Sequence, residues 1–196
     1  MPHRVDEGLV NTLKRVASVL KQAEIPFALA GGFAVYAHGG TSSDHDVDFL
    51  IKEEDAARAL EVLAAAGMRP ERPPEDWLVK VYDEDRLVDL IFRPVQRPVT
   101  DRTLAHAIER PLGGIHLPVV SATDLMVHKL LTYSQHSCNF GGGLPMARSL
   151  REQIDWATVA KETGESPYAV SFLVLLALID VIPRTVIPSD LVEVLR

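Results

Sequence analysis

Three aspartates and a pair of glycines are the residues of this chain best spaced for chemistry. Asp46 and Asp48 stand two apart in Asp46-Val47-Asp48-Phe49-Leu50-Ile51. On a β-strand, residues i and i+2 project from one face with α-carbons roughly 7 Å apart. The two carboxylates therefore point one way, while Val47, Phe49 and Ile51 alternate into a core. Asp89 sits inside Leu87-Val88-Asp89-Leu90-Ile91-Phe92. A lone carboxylate in such a run is costly unless it is paired, bound to a metal or at a sheet edge. If the two runs are neighbouring strands, three carboxylates converge, the oxygen-donor set for divalent ions such as Mg²⁺ or Mn²⁺ holding a polyphosphate. Gly31-Gly32 lies 14 positions before Asp46. A glycine turn at a helix start lets backbone amides approach phosphate oxygens. Taken singly, each feature has a plainer reading: a solvated edge strand for the acids, a tight turn for the glycines. Their joint occurrence is what points to a site.

The elements that must position these residues follow from periodicity. Residues 5–23 place Leu9, Leu13, Val16, Val19 and Leu20 at helical spacing. Residues 27–30 form a short strand, 33–38 a short helix closed by Gly39-Gly40, and 46–51 the strand of the paired acids. An alanine-rich helix spans 53–66, and a proline-containing loop spans 69–76. Residues 77–82 and 87–92 read as a hairpin around Asp83-Glu84-Asp85-Arg86, which assigns this second acidic pair to a turn. A linker at 94–101, a brief helix at 102–109 and a strand at 115–120 complete a mixed α/β part, residues 1–119. From Ser121 the pattern is helical: 121–133, a glycine-rich loop at 135–145, 147–162, an apolar helix from Ser166-Pro167 towards Pro183, and a last helix capped at Ser189-Asp190. Residues 120–196 are thus expected to form a helical domain.

Composition narrows the class. The chain has 196 residues, 47% of them hydrophobic and 24% charged, as a globular protein does. No run is long and apolar enough to span a membrane, and Met1 to Glu7 lacks the blocks of a signal peptide. The single cysteine, Cys138, excludes an internal disulfide and fits a reducing cytoplasm. His45, His128 and His136 are not spaced with Cys138 as a zinc set. A net charge of −7 disfavours a broad nonspecific nucleic-acid surface, though not a local basic groove.

Ala30-Gly31-Gly32, thirteen residues, then Asp46-Val47-Asp48-Phe49, with Asp89 further on, resembles the signature of the polymerase-β-like nucleotidyltransferase superfamily. The stretch Ser121-Ala122-Thr123-Asp124-Leu125, Lys129, and later Arg151-Glu152-Gln153-Ile154-Asp155-Trp156 is similar to the AbiEii branch, which includes the MenT-type toxins. The resemblance implies an α/β (α+β) fold with a mixed-sheet nucleotidyltransferase core and a C-terminal helical bundle, residues 120–196, that completes the active-site cleft. It implies an NTP substrate, Mg²⁺ or Mn²⁺ on Asp46, Asp48 and Asp89, and catalytic roles for those three with Lys129 and Asp155. Gly31, Gly32, Ser43, Lys129 and Arg151 would bind the nucleotide. The 3′ end of tRNA would accept the nucleotide, and a cognate antitoxin would be the partner, with a hydroxyl among Thr41, Ser42 and Ser43 as a modification point. Arg151 and Asp155, four apart, are expected on one helix face. Arg148, Arg151, Lys161, Lys80 and Arg93 are candidates for a basic acceptor groove. Two other readings stay open: a small-molecule nucleotidyltransferase of the aminoglycoside or lincosamide kind, and a noncatalytic nucleotide-binding module.

Overall fold

The structure, a computed structural model, describes residues 6–41 and 45–187. The helix expected at Ser189-Asp190 lies outside the described residues, as do Ser42, Ser43 and Asp44. Two compact units are present: residues 1–38 with 42–121, and residues 39–41 with 122–196.

The first unit is built on a seven-stranded mixed sheet. Its strands are β1 (Phe27–Leu29), β2 (Val47–Ile51), β3 (Arg69–Glu71), β4 (Leu78–Asp83), β5 (Arg86–Ile91), β6 (Ile108–Leu112) and β7 (Ile115–Val119). They lie in the order β3-β4-β5-β2-β1-β7-β6. The pairs β2–β5 and β1–β7 are parallel; the other neighbours are antiparallel. The helices of this unit are α1 (Glu7–Gln22), α2 (Gly31–Ala37), α3 (Ala56–Ala65) and α4 (Asp101–Ala105).

Helix α1 starts where Asp6 caps it, accepting from the amides of Gly8 and Leu9 at 2.7 and 3.2 Å. Its apolar stripe, Leu13, Val16 and Leu20, is fully inaccessible. Its polar contribution to the core is a tie to β4. Thr12 Oγ1 donates to Asp83 Oδ2 at 2.7 Å, and the Arg15 guanidinium pairs with Asp83 Oδ1. Asp83 is buried, so these two partners stand in for its water shell.

Two strands escape a reading by periodicity. β3 falls in the expected loop: all three of its residues are exposed and Pro70 cannot donate to a ladder. It forms because it adds to the outer edge of the β4–β5 hairpin, with Pro70 opposite Val81. The helix expected at 102–109 stops at Ala105, and β6 begins at Ile108. The Gly113-Gly114 turn, with both glycines at positive φ, folds it back onto β7. Helix α2 also begins earlier than expected, at Gly31 rather than Phe33.

The second unit is helical: α5 (Ala122–Leu131), α6 (Phe140–Leu150), α7 (Trp156–Thr163) and α8 (Pro167–Leu178). The segment Gly141-Gly142-Gly143-Leu144-Pro145, expected as a loop, is the first half of α6. Tertiary packing overrides propensity here. A Cβ on Gly143 would lie 2.3 Å from the Tyr133 hydroxyl and 3.0 Å from the Phe172 ring. Glycine therefore lets α6 close onto the Tyr133–Phe140–Phe172 aromatic cluster. The single helix expected over 147–162 is instead two. It breaks after Leu150, and Trp156 Nε1 donates to the Arg151 carbonyl at 3.0 Å across the break. Arg151 and Asp155 consequently do not share a helix face.

Asp83→Ala should destabilise the protein by about 2 kcal/mol, since it strands the buried Thr12 hydroxyl and leaves a polar gap beneath α1. Urea unfolding at neutral pH checks this; a loss under about 0.5 kcal/mol would show that water replaces the carboxylate.

Candidate active site

The paired acids lie where β2 begins. Val47 and Phe49 are fully buried, so the pleat turns Asp46 and Asp48 to the opposite side. β5 runs parallel to β2 in the register Asp48 opposite Asp89. This makes β5 an interior strand, flanked by β4 and β2, and so excludes a water-facing edge position for Asp89. The three carboxylates offer oxygens that all lie within 4.8 Å of one another. They are the one such cluster of potential ligands among the described residues.

Gly31 closes one side of the cluster. Its φ is +58°, and a Cβ built there would stand 1.7 Å from Asp48 Oδ2. Only glycine satisfies both the backbone conformation and the approach of the carboxylate. The amide of Ala30 donates to the Asp48 carbonyl at 2.8 Å, which locks the start of α2 to β2. Gly32 follows in the first turn of α2, partly accessible. At the other end of α2, His38 is buried; its Nε2 donates to the Val120 carbonyl at 2.8 Å while Nδ1 accepts from Arg110 Nε at 3.4 Å. Those two contacts tie α2 to the β6–β7 side of the sheet. Periodicity gives His38 no such role, because both partners come from residues more than seventy positions away.

Lys80 faces the cluster from β4. It lies opposite Asp89 in the β4–β5 register, with Nζ 3.3 Å from Asp89 Oδ1. This is an ion-pair distance at an angle that makes no hydrogen bond, and Asp89 Oδ1 is buried without a hydrogen-bond donor among the described residues. The sequence offers Lys80 as one of five candidates for a basic groove, and its alternation on the strand is the signal for it. Of the others, Arg93 is held by Asp76, at 3.1 Å, and Arg148 and Lys161 are exposed on the second unit.

One lysine does not offset three carboxylates. Burial, then the charges of Asp46 and Asp89, push the Asp48 carboxyl from 3.8 to about 7, with Lys80 opposing. Burial likewise raises Asp89, against the pull of Lys80. A crowded set of hard oxygen donors, one of them buried and without a hydrogen-bond donor, is what a divalent cation such as Mg²⁺ or Mn²⁺ satisfies. The residues present fit the metal.

The remaining expected site residues belong to the second unit, apart from Ser43, which is outside the described residues. Lys129 lies on α5, with Nζ 5.8 Å from the Tyr133 ring centroid. Asp155 caps α7: its carboxylate accepts from the amides of Ala157 and Thr158 at 3.1 and 3.2 Å and from Thr158 Oγ1 at 2.7 Å. Those bonds, the hydroxyl of Thr158 first, hold its carboxyl below the usual carboxylate range. Arg151 Nε pairs with its neighbour Glu152 at 2.8 Å.

Two outcomes follow. Without metal, the stability contributed by protonated Asp48 is complete below about pH 4 and lost as pH rises through about 7. Metal-free Asp48→Asn should therefore exceed wild type at pH 8 by about 1–2 kcal/mol, after allowance for partial exposure, and not at pH 4. Urea titrations in chelator at both pH values check the sign. Gly31→Ala should cost about 1–3 kcal/mol through strain at positive φ. It should also abolish saturable Mn²⁺ binding by displacing Asp48, as titration calorimetry would read.

A family model described as uncharacterised nucleotidyltransferase matches residues 4–181. A comparison with curated protein sequences gave no match. Among solved structures, ANT(2")-Ia in complex with adenylyl-2"-tobramycin is similar at a TM-score of 0.57 and 14% identity, over 86% of this chain and 98% of that one. An antigenic nucleotidyltransferase-like protein from Paracoccidioides brasiliensis gives 0.54 and 20% identity over 89% of each chain. The lincosamide antibiotic adenylyltransferase LnuA, lincomycin-bound, gives 0.51 and 12% identity over 74% and 96%. At such identities the likeness is one of fold, and the family rests on the model that spans most of the sequence: the chain belongs to this family of uncharacterised nucleotidyltransferases.

Proposed function

We propose that the protein transfers a nucleoside monophosphate from an NTP to a hydroxyl acceptor, releasing pyrophosphate, at the site of Asp46, Asp48 and Asp89. The observation that carries this reading is the convergence of three carboxylates beside Gly31, one with a buried oxygen that has no donor. Asp46 and Asp48 would hold the divalent ions, with Asp89 sharing one of them. Bound Mg²⁺ or Mn²⁺ supplies positive charge to the triphosphate and its leaving group. Asp89, whose carboxyl burial pushes up, would accept the proton of the attacking hydroxyl. Gly31 and Gly32 keep the start of α2 free of side chains, so phosphate oxygens can approach the backbone. Ser43 is assigned to the same nucleotide from its place in the sequence. Lys129, whose Nζ lies 5.8 Å from the Tyr133 ring centroid, is the cation we assign to the triphosphate tail. In this reading Arg151 assists nucleotide binding, and Asp155 acts through its cap on α7.

For the acceptor, the likeness of Ser121 to Lys129 and of Arg151 to Trp156 to the AbiEii branch supports a MenT-type toxin. Its acceptor would be the 3′ end of tRNA, its consequence a block of translation, and its partner a cognate antitoxin in the cytoplasm. A second reading has its own support. The match to ANT(2")-Ia runs over almost the whole of that enzyme, and the structure holding adenylyl-2"-tobramycin points to a small-molecule hydroxyl as acceptor.

Incubation with Mg²⁺, each α-labelled NTP, and either total tRNA or a panel of aminoglycosides and lincosamides tests both readings. Label on tRNA supports the toxin; label on a drug supports the alternative. Asp46→Asn and Asp89→Asn should each lower the rate by roughly a hundredfold or more, since both act on charge developed in the transition state. No labelled product with any acceptor overturns the proposed function.

A further inference from the structure

We infer that Lys80 is a positioning residue of this site: its ammonium holds Asp89 Oδ1, aims the carboxylate, and weakens the site for free metal so that the ions arrive with the nucleotide. The inference rests on the proposed function for its catalytic half only.

The argument begins with register. Glu71, Lys80, Asp89 and Asp48 form one continuous cross-strand row over β3, β4, β5 and β2. Directly opposite residues have side chains close enough to interact, and opposite charges favour such placement. Lys80 thus sits between two acids, and its Nζ lies 3.3 Å from Asp89 Oδ1. Both side chains are largely withdrawn from water, at 19% and 12% exposure, so the pair is screened far less than a surface bridge. Asp89 has no other cation: among the described residues, no other ion pair reaches it. Removal of Lys80 would leave Asp89 beside Asp46 and Asp48 with nothing to fix its rotamer.

Charge arithmetic gives the second half. Fully ionised, as cation binding requires, the three carboxylates carry three negative charges, and Lys80 offsets one. A site of that size binds divalent ions more weakly than the bare triad would, because the ammonium repels any cation held by Asp89. A triphosphate brings the missing negative charge. Such a site favours metal already bound to nucleotide over free metal. The sequence offers Lys80 only as one of five candidates for a basic groove; the strand pairing sets it against Asp89.

The test reads Mn²⁺ binding to the metal-free protein without nucleotide, by electron paramagnetic resonance, beside steady-state nucleotidyl transfer. Lys80→Met and Lys80→Gln should each tighten Mn²⁺ by about tenfold and lower kcat by about tenfold or more. The KM for NTP should stay within about twofold of wild type, because the interaction acts on orientation rather than on uniform binding. Lys80→Arg keeps the charge and should recover most of both properties. A general loss of structure would weaken metal binding, so a tightened affinity separates the positioning role from damage to the fold. Mn²⁺ affinity unchanged or weakened in both neutral variants overturns the inference, whatever the transfer assay gives. Transfer absent in wild type but Mn²⁺ tightened in the variants would overturn the proposed function and uphold the metal half of the inference.

Discussion

Three carboxylates with oxygens held within 4.8 Å of one another are the constraint on which the site depends. Such a cluster repels itself, and only a rigid frame keeps it assembled without metal. The sheet is that frame. Asp48 and Asp89 are locked side by side because β2 and β5 pair in parallel at that register, and the residues alternating with them, Val47, Phe49, Val88 and Leu90, are fully buried. A slip of one residue would turn the carboxylates into the core and the apolar set out of it. Burial of the apolar face therefore stabilises the crowding on the other.

The surroundings temper that crowding in two ways. Gly31 gives up a side chain so that Asp48 can lie against the start of α2. Lys80 supplies a cation from the next strand. Neither is enough to neutralise the cluster, and the Asp48 carboxyl is displaced to about 7 in consequence. The charge still to be balanced is positive and the donors are hard oxygens, which together describe a divalent ion. Stability away from the site is secured separately, by the Thr12–Asp83–Arg15 tie and by His38 between Val120 and Arg110. This division leaves the site's charges to function.

The second unit shows how far helix signals can be overruled. Three consecutive glycines and a proline would ordinarily end a helix, yet they begin α6, because small residues let it approach Tyr133 and Phe172. Asp155, expected to face Arg151 along one helix, is instead the first residue before the next, bonded to Ala157 and Thr158. The family assignment is unaffected, since it rests on a match across residues 4–181 rather than on one helix boundary.

The sequence by itself determined the acidic set, the paired glycines and the phase of the strands that hold them. Alternation of Val47 and Phe49 with the aspartates is enough to predict a shared face, and an Asp within an apolar run is enough to predict a partner. Local pattern also determined α1, the β4–β5 hairpin and the change to helix after Ser121. Only the tertiary structure decided that β5 lies inside the sheet, that Asp48 and Asp89 stand opposite, and that Lys80 answers them. It alone decided that β3 and β6 are strands and that the expected helix over 147–162 breaks. The physical reason is range. Periodicity records which face of an element avoids water, a property of neighbours in sequence. Register, edge addition and the counter-ion of a buried charge depend on residues far apart in sequence, whose meeting only the folded sheet decides.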